Sequence, residues 1–500
     1  MNIISLFDSN VRKYADKPML RYEGTSYTYA QMDDLSRRAA TVIVRQGVKA
    51  GDRVAVMCFN TPGFVIAMLG AWRLGAVVVP VNHKLQAPEV DFILAHASVR
   101  LCIFDGVLAP VIQRLSTAVT TLSTGSDAPG HASFDALLAS AGSFDGAPAG
   151  DDAIAEILYT SGTTGRPKGC LLSHRAVCLA ALTTALTMSM TRDERTLIAM
   201  PLWHSSPLNN WMLGTLYVGG TLVLLREYQP RAFLQTVQDE RVTLYFGAPV
   251  SYLLPLQIDV EIDSFDFGSV RAWVYGGGPI GADTARRLSA AYRSERFYQV
   301  FGMTESGPSG TVLYPEEQVA KAGSIGRVGT PGVDLRVVRE DGGDAQAGEV
   351  GEIWLRTESA MQGYLDDERA TQEAFSNGWY RTGDLARKDA DGFLFVVDRS
   401  KDMIVTGGEN VYSKEVEDAL LAHPAVQDVA VIGRPHTEWG ETVVAMLVPV
   451  PGALPDPEEI SAFLASRIAR YKIPREYVMC ETLPRTATGK LMKHALRAAI

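Results

Sequence analysis

One stretch of the chain combines turn-forming residues, hydroxyl groups and a lysine in an arrangement suited to phosphate. Residues 159–169 read YTSGTTGRPKG. Glycines let backbone N–H groups approach an anion, hydroxyls add donors and a lysine adds positive charge. The spacing is not that of a Walker loop, and the alternative is a solvated turn between two strands, although turns rarely need so many hydroxyls beside a lysine. We expect a phosphate-binding loop formed by Thr160, Ser161, Gly162, Thr163, Thr164, Gly165 and Lys168.

The elements around this loop follow an α/β pattern. The apolar runs RVAVMCF, AVVVPV and VRLCIF alternate with helical patterns, and the alternation returns with GTLVLL, a helix over residues 230–240 and VTLYFGAP. This rhythm predicts large parallel sheets covered by helices.

The pattern of predicted strands and helices changes twice in the second half of the chain. After Gly326, short strands bounded by glycines follow one another without helices, which predicts a small antiparallel sheet or barrel-like subdomain. After Asp398 the α/β pattern resumes, with a helix from Ser413. We therefore predict a large N-terminal domain over residues 1–398 and a smaller α/β lid over residues 399–500.

Composition and charge exclude several classes of protein. The 500 residues are 47% hydrophobic and carry a net charge of −10, so no overall positive field would attract nucleic acid or an anionic membrane. The five cysteines form no CxxC pair, and the most apolar stretch is interrupted by Arg73 and Pro80. We expect a cytoplasmic protein without integral membrane association, either a monomer or a homodimer.

Further motifs follow the glycine-hydroxyl loop in a fixed order along nearly the whole chain. They are PLWHSSP (201–207), YGGGPI (275–280), FGMTESGP (301–308), YRTGDLA (380–386), DRSKDMIVTGGENVYSKEVE (398–417) and PRTATGK (484–490). Together they resemble the adenylate-forming superfamily of AMP-dependent synthetases and ligases, particularly acyl- and aryl-CoA synthetases such as 4-coumarate–CoA and fatty-acid–CoA ligases. The resemblance implies that a small-molecule carboxylic acid reacts with ATP, and that coenzyme A then attacks the acyl-adenylate. It implies ATP, Mg²⁺ and coenzyme A as cofactors.

The resemblance also assigns residues to the nucleotide. Asp384 would accept hydrogen bonds from the ribose hydroxyls, and Glu305 with Thr160 would hold Mg²⁺. Where the family commonly has Tyr, this chain has Phe301, which retains stacking on adenine and lacks the hydroxyl. The adenine-side and pocket-completing residues would be Gly276, Gly277, Gly278, Phe301, Gly302 and Thr304.

The lid motifs carry the implied catalytic groups. Lys490 would offset charge as the substrate carboxylate meets the α-phosphate. Arg399 would contact ribose and phosphate, and Lys401 would be the hinge between two half-reactions. The residues implied to face coenzyme A are Gly408, Trp439, Tyr471 and Lys472, although packing within the lid would equally explain the last three.

The resemblance also places the acyl site, mainly through the motifs PLWHSSP and FGMTESGP. His204 would gate the pocket, and Ser205 and Ser206 stand where amino-acid-activating relatives carry Asp, which argues against an amino-acid substrate. The pocket wall would comprise Ser206, Asn209, Asn210, Gly276, Gly278, Gly302, Pro308 and Ser309. Its polar groups favour a substituted or short acid, because an apolar chain would leave them unpaired at about 1–3 kcal/mol each.

The expected substrate is an aryl or short- to medium-chain acid. Three alternatives remain open at this stage: a stand-alone adenylating enzyme that passes its acyl group to a carrier protein or another acceptor, a luciferase-like monooxygenase, and a catalytically silent binder. The five charged residues Lys168, Glu305, Asp384, Arg399 and Lys490 argue against the last of these.

Overall fold

The computed structural model describes residues 1–160, 167–258, 261–399, 402–406, 409–436, 439–453, 455–465, 467–485 and 491–499. Its α-helices are α1 (Ile3–Tyr14), α2 (Tyr29–Arg45), α3 (Pro62–Leu74), α4 (Ala87–His96), α5 (Ala109–Ile112), α6 (Phe134–Ser140), α7 (His174–Thr187), α8 (Leu213–Val218), α9 (Pro230–Asp239), α10 (Pro249–Leu253), α11 (Ala282–Ala291), α12 (Glu368–Ala374), α13 (Ser413–Leu421), α14 (Pro457–Ala465) and α15 (Lys493–Ala498). Shorter helical turns include a π-helix at Ser206–Met212 and 3₁₀ turns at Thr304–Ser306 and Arg470–Lys472.

The strands alternate with these helices over much of the chain. They are β1 (Pro18–Tyr22), β2 (Thr25–Thr28), β3 (Arg53–Met57), β4 (Val77–Pro80), β5 (Val99–Asp105), β6 (Thr120–Thr124), β7 (Ala132–Ser133), β8 (Ile154–Thr160), β9 (Lys168–Ser173), β10 (Arg195–Ile198), β11 (Thr221–Leu224), β12 (Leu244–Gly247), β13 (Ala272–Gly276), β14 (Phe297–Gly302), β15 (Gly310–Leu313), β16 (Val333–Val338), β17 (Val350–Thr357), β18 (Gly363–Tyr364), β19 (Phe375–Ser376), β20 (Trp379–Lys388), β21 (Leu394–Arg399), β22 (Ile404–Thr406), β23 (Glu409–Val411), β24 (Val426–His436), β25 (Gly440–Pro449) and β26 (Glu476–Met479).

Two eight-stranded sheets form the frame of the first of two compact units. One has the order β15-β14-β13-β12-β10-β11-β1-β2 and the other β18-β9-β8-β4-β3-β5-β6-β7. Their inner pairs, such as β3–β4 and β12–β13, are parallel. The valines of β4 are buried on both faces, as expected for a strand of a parallel sheet that helices cover.

The smaller sheets complete the architecture. β16, β17, β20 and β19 pair in that order, with β21 on β20, and the division between the two units falls within β16, β17 and β20. The second unit contains the sheet β23-β22-β25-β24, with β26 on β25, and helices α13, α14 and α15. Its core includes Val431, Ala445, Ile460 and Leu464.

The predicted fold class is confirmed: parallel α/β sheets, a smaller antiparallel sheet and a C-terminal α/β region are all present. The domain boundary proposed at Arg399 lies within the second unit, which also contains residues 336–354 and 381–398, and it stays a prediction. Within the described residues, every helix falls short of the length and apolarity that crossing a bilayer requires.

Helices α2 and α3 approach closely because a glycine faces an alanine. A Cβ added to Gly70 would lie 2.4 Å from the Cβ of Ala39 and 3.1 Å from the neighbouring backbone. We predict that Gly70→Ala lowers the free energy of unfolding by about 1–3 kcal/mol, because the helices must separate. Urea denaturation measures the change. Gly142→Ala is the matched control, since nothing lies within 4 Å of its added Cβ; equal stability of the two variants would contradict the packing account.

Candidate active site

The ends of two paired strands fix where the predicted phosphate segment begins and ends. Thr160 is the last residue of β8 and Lys168 the first of β9, and the two are partners across the antiparallel pair. The five predicted residues between them, Ser161, Gly162, Thr163, Thr164 and Gly165, lie outside the described residues, as do Lys401, Gly408 and Lys490.

A carboxylate stands beside the end of β8. Glu305 belongs to the turn after β14, is buried, and accepts a hydrogen bond of 3.1 Å from the hydroxyl of Tyr364. The Thr160 hydroxyl also donates to Glu305, at a long 3.5 Å. The Lys168 ammonium lies over the ring of Tyr364, 5.0 Å from its centre. The structure thus brings together Thr160, Lys168 and Glu305, which the sequence assigned to phosphate and metal.

The sequence analysis missed Tyr364, the residue that contacts both charged groups. Burial raises the pKa of its phenol, and the negative charge of Glu305 raises it further, so the phenol remains a donor. Tyr364 reaches this position because β18 pairs with β9, with Tyr364 opposite Cys170. A pairing between residues so distant in sequence leaves no local signal.

The two motifs implied in acyl binding contact each other in the first unit. The hydroxyls of Ser205 and Thr304 are 2.9 Å apart, and the Asn210 side-chain amide donates to the Pro308 carbonyl at 3.1 Å. Ser205, like Tyr364, was not among the predicted site residues. Ser206 opens the π-helix, a geometry often found at functional sites, and accepts a hydrogen bond from the indole of Trp211.

A narrow crevice adjoins these contacts. Its walls carry the hydroxyls of α7 and β15 beside two aromatic rings, and they comprise Thr183, Thr184, Thr187, Met188, Asn210, Trp211, Val300, Phe301, Pro308, Ser309, Gly310, Thr311 and Thr330. Four predicted residues therefore line one space: Asn210, Phe301, Pro308 and Ser309. The hydroxyl of Ser309 is already engaged with the Gly307 carbonyl and with Ser359.

Close backbone approaches explain two of the predicted glycines. A Cβ on Gly302 would lie 2.4 Å from the carbonyl oxygen of Pro308, and one on Gly276 would lie 3.0 Å from that of Val300. Gly277 has a φ of +83°, which glycine adopts without strain, and no atoms lie within 4 Å of a Cβ added to Gly277 or Gly278. These two glycines leave open space where adenine was predicted.

Asn209, also predicted to line the acyl pocket, has a buried partner that the sequence did not suggest. Its side-chain amide donates to Glu156 of β8 at 2.6 Å, and both residues are fully buried. Burial raises the pKa of Glu156 to about 7. This contact joins the π-helix of the acyl motif to the strand that leads to Thr160.

The second unit brings together the predicted ribose residues. Asp384 on β20 and Arg399 on β21 are partners across the strands, and their side chains form an ion pair of 3.1 Å. Of the predicted coenzyme A residues, Trp439 and Tyr471 are exposed, and Trp439 lies under the guanidinium of Arg475 at 4.7 Å. Lys472 forms an ion pair of 2.7 Å with Glu415.

Comparison with known proteins places the chain in a family. The AMP-binding enzyme family matches residues 7–365, and the AMP-binding enzyme C-terminal domain matches residues 415–490. The chain therefore belongs to the AMP-binding enzymes, and its predicted membership of the adenylate-forming superfamily is confirmed.

The similar proteins are mainly acid–CoA ligases. The chain is 36% identical to a feruloyl-CoA synthase of Amycolatopsis sp, over 96% of this chain and 95% of that protein. It is also 36% identical to a long-chain-fatty-acid–CoA ligase of Mycobacterium tuberculosis, over 94% and 92% of the two chains. Among solved structures, the o-succinylbenzoate CoA synthetase of Bacillus subtilis in complex with its acyl-adenylate intermediate matches with a TM-score of 0.86 and 29% identity, over 98% of this chain and 97% of that chain.

The raised pKa of Glu156 predicts a pH-dependent stability. Folding favours the protonated carboxyl, so the contribution of Glu156 is fully present below its ordinary pKa of 4.5 and is lost as the pH rises through about 7. Glutamine carries no charge at any pH. We therefore expect Glu156→Gln to gain stability relative to the unmodified protein with rising pH, by up to about 3 kcal/mol.

Urea denaturation of both proteins from about pH 5 to about pH 8 measures this difference. Glu261→Gln, which removes an exposed carboxylate, is the control. A difference between Glu156→Gln and the unmodified protein that stays constant over this range would refute the account.

Proposed function

We propose that the protein is an ATP-dependent carboxylic acid–CoA ligase that forms an acyl-adenylate, releases pyrophosphate and then forms an acyl-CoA thioester. The observation that carries the proposal is the group formed by Thr160, Lys168 and Glu305 around Tyr364. A lysine, a hydroxyl and a carboxylate at the end of a glycine-rich segment suit a triphosphate with its metal ion.

The residues present fit Mg²⁺. Magnesium prefers oxygen ligands and usually takes one or two carboxylates, with substrate phosphates and water completing its octahedron. Glu305 supplies a carboxylate and Thr160 a hydroxyl, and the described residues contain no cluster of three or more metal-ligating side chains that would form a closed protein site. When bound, the ion would neutralise charge on the phosphates. Tyr364 would orient the Glu305 carboxylate by its hydrogen bond.

In the first half-reaction, an oxygen of the substrate carboxylate attacks the α-phosphorus. A new P–O bond forms, the bond from that phosphorus to the bridging oxygen breaks, and pyrophosphate leaves. Two anions must approach, so cations at this point stabilise the transition state. We assign that role to Lys490 and a supporting role toward the triphosphate to Lys168. Asp384 would accept the ribose hydroxyls, and Arg399 orients it through their ion pair.

In the second half-reaction, the thiolate of coenzyme A attacks the acyl carbon and AMP leaves. The exposed rings of Trp439 and Tyr471 are available for contact with coenzyme A, whereas Lys472 is occupied by Glu415. We retain His204 as the residue that gates the acyl pocket, Lys401 as the hinge and Gly408 as part of the pantetheine path. Passage of the acyl group to a carrier protein instead of coenzyme A is the alternative that the experiment below separates.

The crevice supports a compact acid as substrate. Trp211 and Phe301 offer apolar faces to the crevice. The nitrogen of the Asn210 amide donates to Pro308, whereas its oxygen has no hydrogen-bond partner among the described residues. An aryl or short- to medium-chain acid with a hydrogen-bonding substituent could pair with the amide oxygen, which a purely apolar chain would leave unpaired. One named relative is a feruloyl-CoA synthase and another is a long-chain-fatty-acid–CoA ligase, so the names of the relatives include both an aromatic and an aliphatic acyl group. A cytoplasmic location and the oligomeric state stay predictions.

Product analysis by mass spectrometry tests the proposed reaction. The protein is incubated with ATP, Mg²⁺ and a panel of benzoic, cinnamic and aliphatic acids, with and without coenzyme A. We expect acyl-AMP without coenzyme A and acyl-CoA with it. Acyl-AMP that persists in the presence of coenzyme A would favour a carrier-protein acceptor, and the absence of adenylate from every acid would contradict the proposal.

The proposed role of Lys490 makes a selective prediction. Lys490→Ala should lower the rate of adenylate formation by about 100-fold or more, because the charge acts only where carboxylate and α-phosphate meet. Thioester formation from supplied acyl-adenylate should be spared. Lys414→Ala, which removes a lysine from an exposed ion pair with Asp418, is the matched control. Equal loss of both half-reactions would contradict the assignment of Lys490 to adenylation alone.

A further inference from the structure

The C-terminal helix α15 forms two ion pairs within the second unit, with Glu417 and with Asp402. The Lys493 ammonium lies 2.8 Å from the Glu417 carboxylate and donates to the Ser413 hydroxyl. One turn later, the Arg497 guanidinium lies 2.8 Å from the carboxylate of Asp402. Asp402 directly follows Lys401, the predicted hinge.

A directional chain of hydrogen bonds extends from Lys493 to the other side of the hinge. Ser413 accepts from Lys493 and donates its hydroxyl hydrogen to Asp398 at 3.1 Å. The backbone N–H groups of Ser413 and Arg399 also donate to the Asp398 carboxylate. Asp398 precedes the predicted hinge and Asp402 follows it, so α15 is linked to both flanks, directly to Asp402 and through Ser413 to Asp398.

The electrostatics of this hydrogen-bond network depend on one cation. Asp398 and Glu417 are both largely buried, burial raises the pKa of each carboxyl, and the charge of Lys493 opposes that rise in both. The side chain of Lys493 is itself only 12% exposed. Removing it would leave two buried carboxylates without a nearby cation, which is costly. Loss of a cation from an exposed ion pair costs much less.

The same lysine lies close in sequence to the proposed adenylation residue. Lys493 follows Lys490 by three positions. The described residues that flank this stretch are held together: Arg485 and Leu491 form an antiparallel bridge, and the backbone N–H of Met492 donates to the Pro484 carbonyl at 2.9 Å. Helix α15 is anchored by Leu496, which packs in the core against β24 and β25.

We propose that Lys493 is a positioning residue for adenylation: it fixes the start of α15, three residues after Lys490, to Glu417 directly and to Asp398 through Ser413. This inference rests on the proposed function and on the role proposed there for Lys490. A displacement of about 1 Å at a reacting group can cost on the order of 100-fold in rate. Lys493 itself touches no substrate and acts through Lys490.

The two half-reactions of Lys493→Met test this inference. We expect kcat for adenylate formation to fall about 10- to 100-fold, with thioester formation from supplied acyl-adenylate kept within about twofold. Lys493→Arg, which keeps a cation able to bond Glu417 and Ser413, should restore most of the adenylation rate. Lys414→Met on the same helix as Glu417 is the matched control, because its partner Asp418 is exposed.

A second variant guards against misfolding. If Lys493→Met is unstable, the double variant Lys493→Met with Glu417→Gln removes one unpaired buried charge and should regain the melting temperature while keeping the selective loss of adenylation. Equal loss of both half-reactions in the folded double variant would overturn the inference, because it would indicate a general structural role. So would an unchanged adenylation rate in Lys493→Met.

Lys490→Ala, measured in parallel, separates this inference from the proposed function. If Lys490→Ala loses adenylation and Lys493→Met keeps it, only the positioning role is overturned. If Lys490→Ala keeps adenylation, the role proposed for Lys490 fails, and the positioning of that residue fails with it.

Discussion

The hydrogen bond from Tyr364 to Glu305 is the contact on which the arrangement of the first unit's polar site depends. It places a buried carboxylate at the end of β8, next to Thr160, and holds a tyrosine ring beside Lys168. A buried carboxylate without such a donor would be costly. The pairing of β18 with β9 makes this possible, because it brings Tyr364 beside the strand that Lys168 begins.

Residues in and just after the acyl motif PLWHSSP also contact β8 and the turn that carries Glu305. Glu156 lies four positions before Thr160 and holds Asn209, while Ser205 contacts Thr304 one residue before Glu305. The described contacts therefore join the phosphate-side strand, the π-helix and the turn that carries Glu305 into one network.

The sequence was most informative where function requires a local pattern. The apolar runs and turn residues predicted β3, β4, the helix at α9 and the helix at α13, since periodicity and caps are local properties. Motif order assigned Thr160, Lys168 and Glu305, which the structure brings together, and Asp384 with Arg399, which it pairs.

Other features were beyond the sequence because they arise from contacts between distant segments. Tyr364 and Glu156 each acquire their place through a partner far along the chain, and neither composition nor spacing marks them. Ser205 lies within the motif PLWHSSP, but its contact with the distant Thr304 has no local signal. The division between the units also does not coincide with the end of an element: β20 is one continuous strand, yet the division falls within it. The boundary at Arg399 was drawn instead from the change of pattern after Asp398.

The most direct test of the account measures the exchange of labelled pyrophosphate into ATP, which reports the reversal of adenylation without coenzyme A. We expect an exchange that requires both an accepted acid and Mg²⁺, is reduced about 100-fold or more in Glu305→Gln, and is reduced less in Tyr364→Phe, which keeps the carboxylate but not its donor. Exchange in Glu305→Gln at the rate of the unmodified protein would contradict the central role given to this carboxylate.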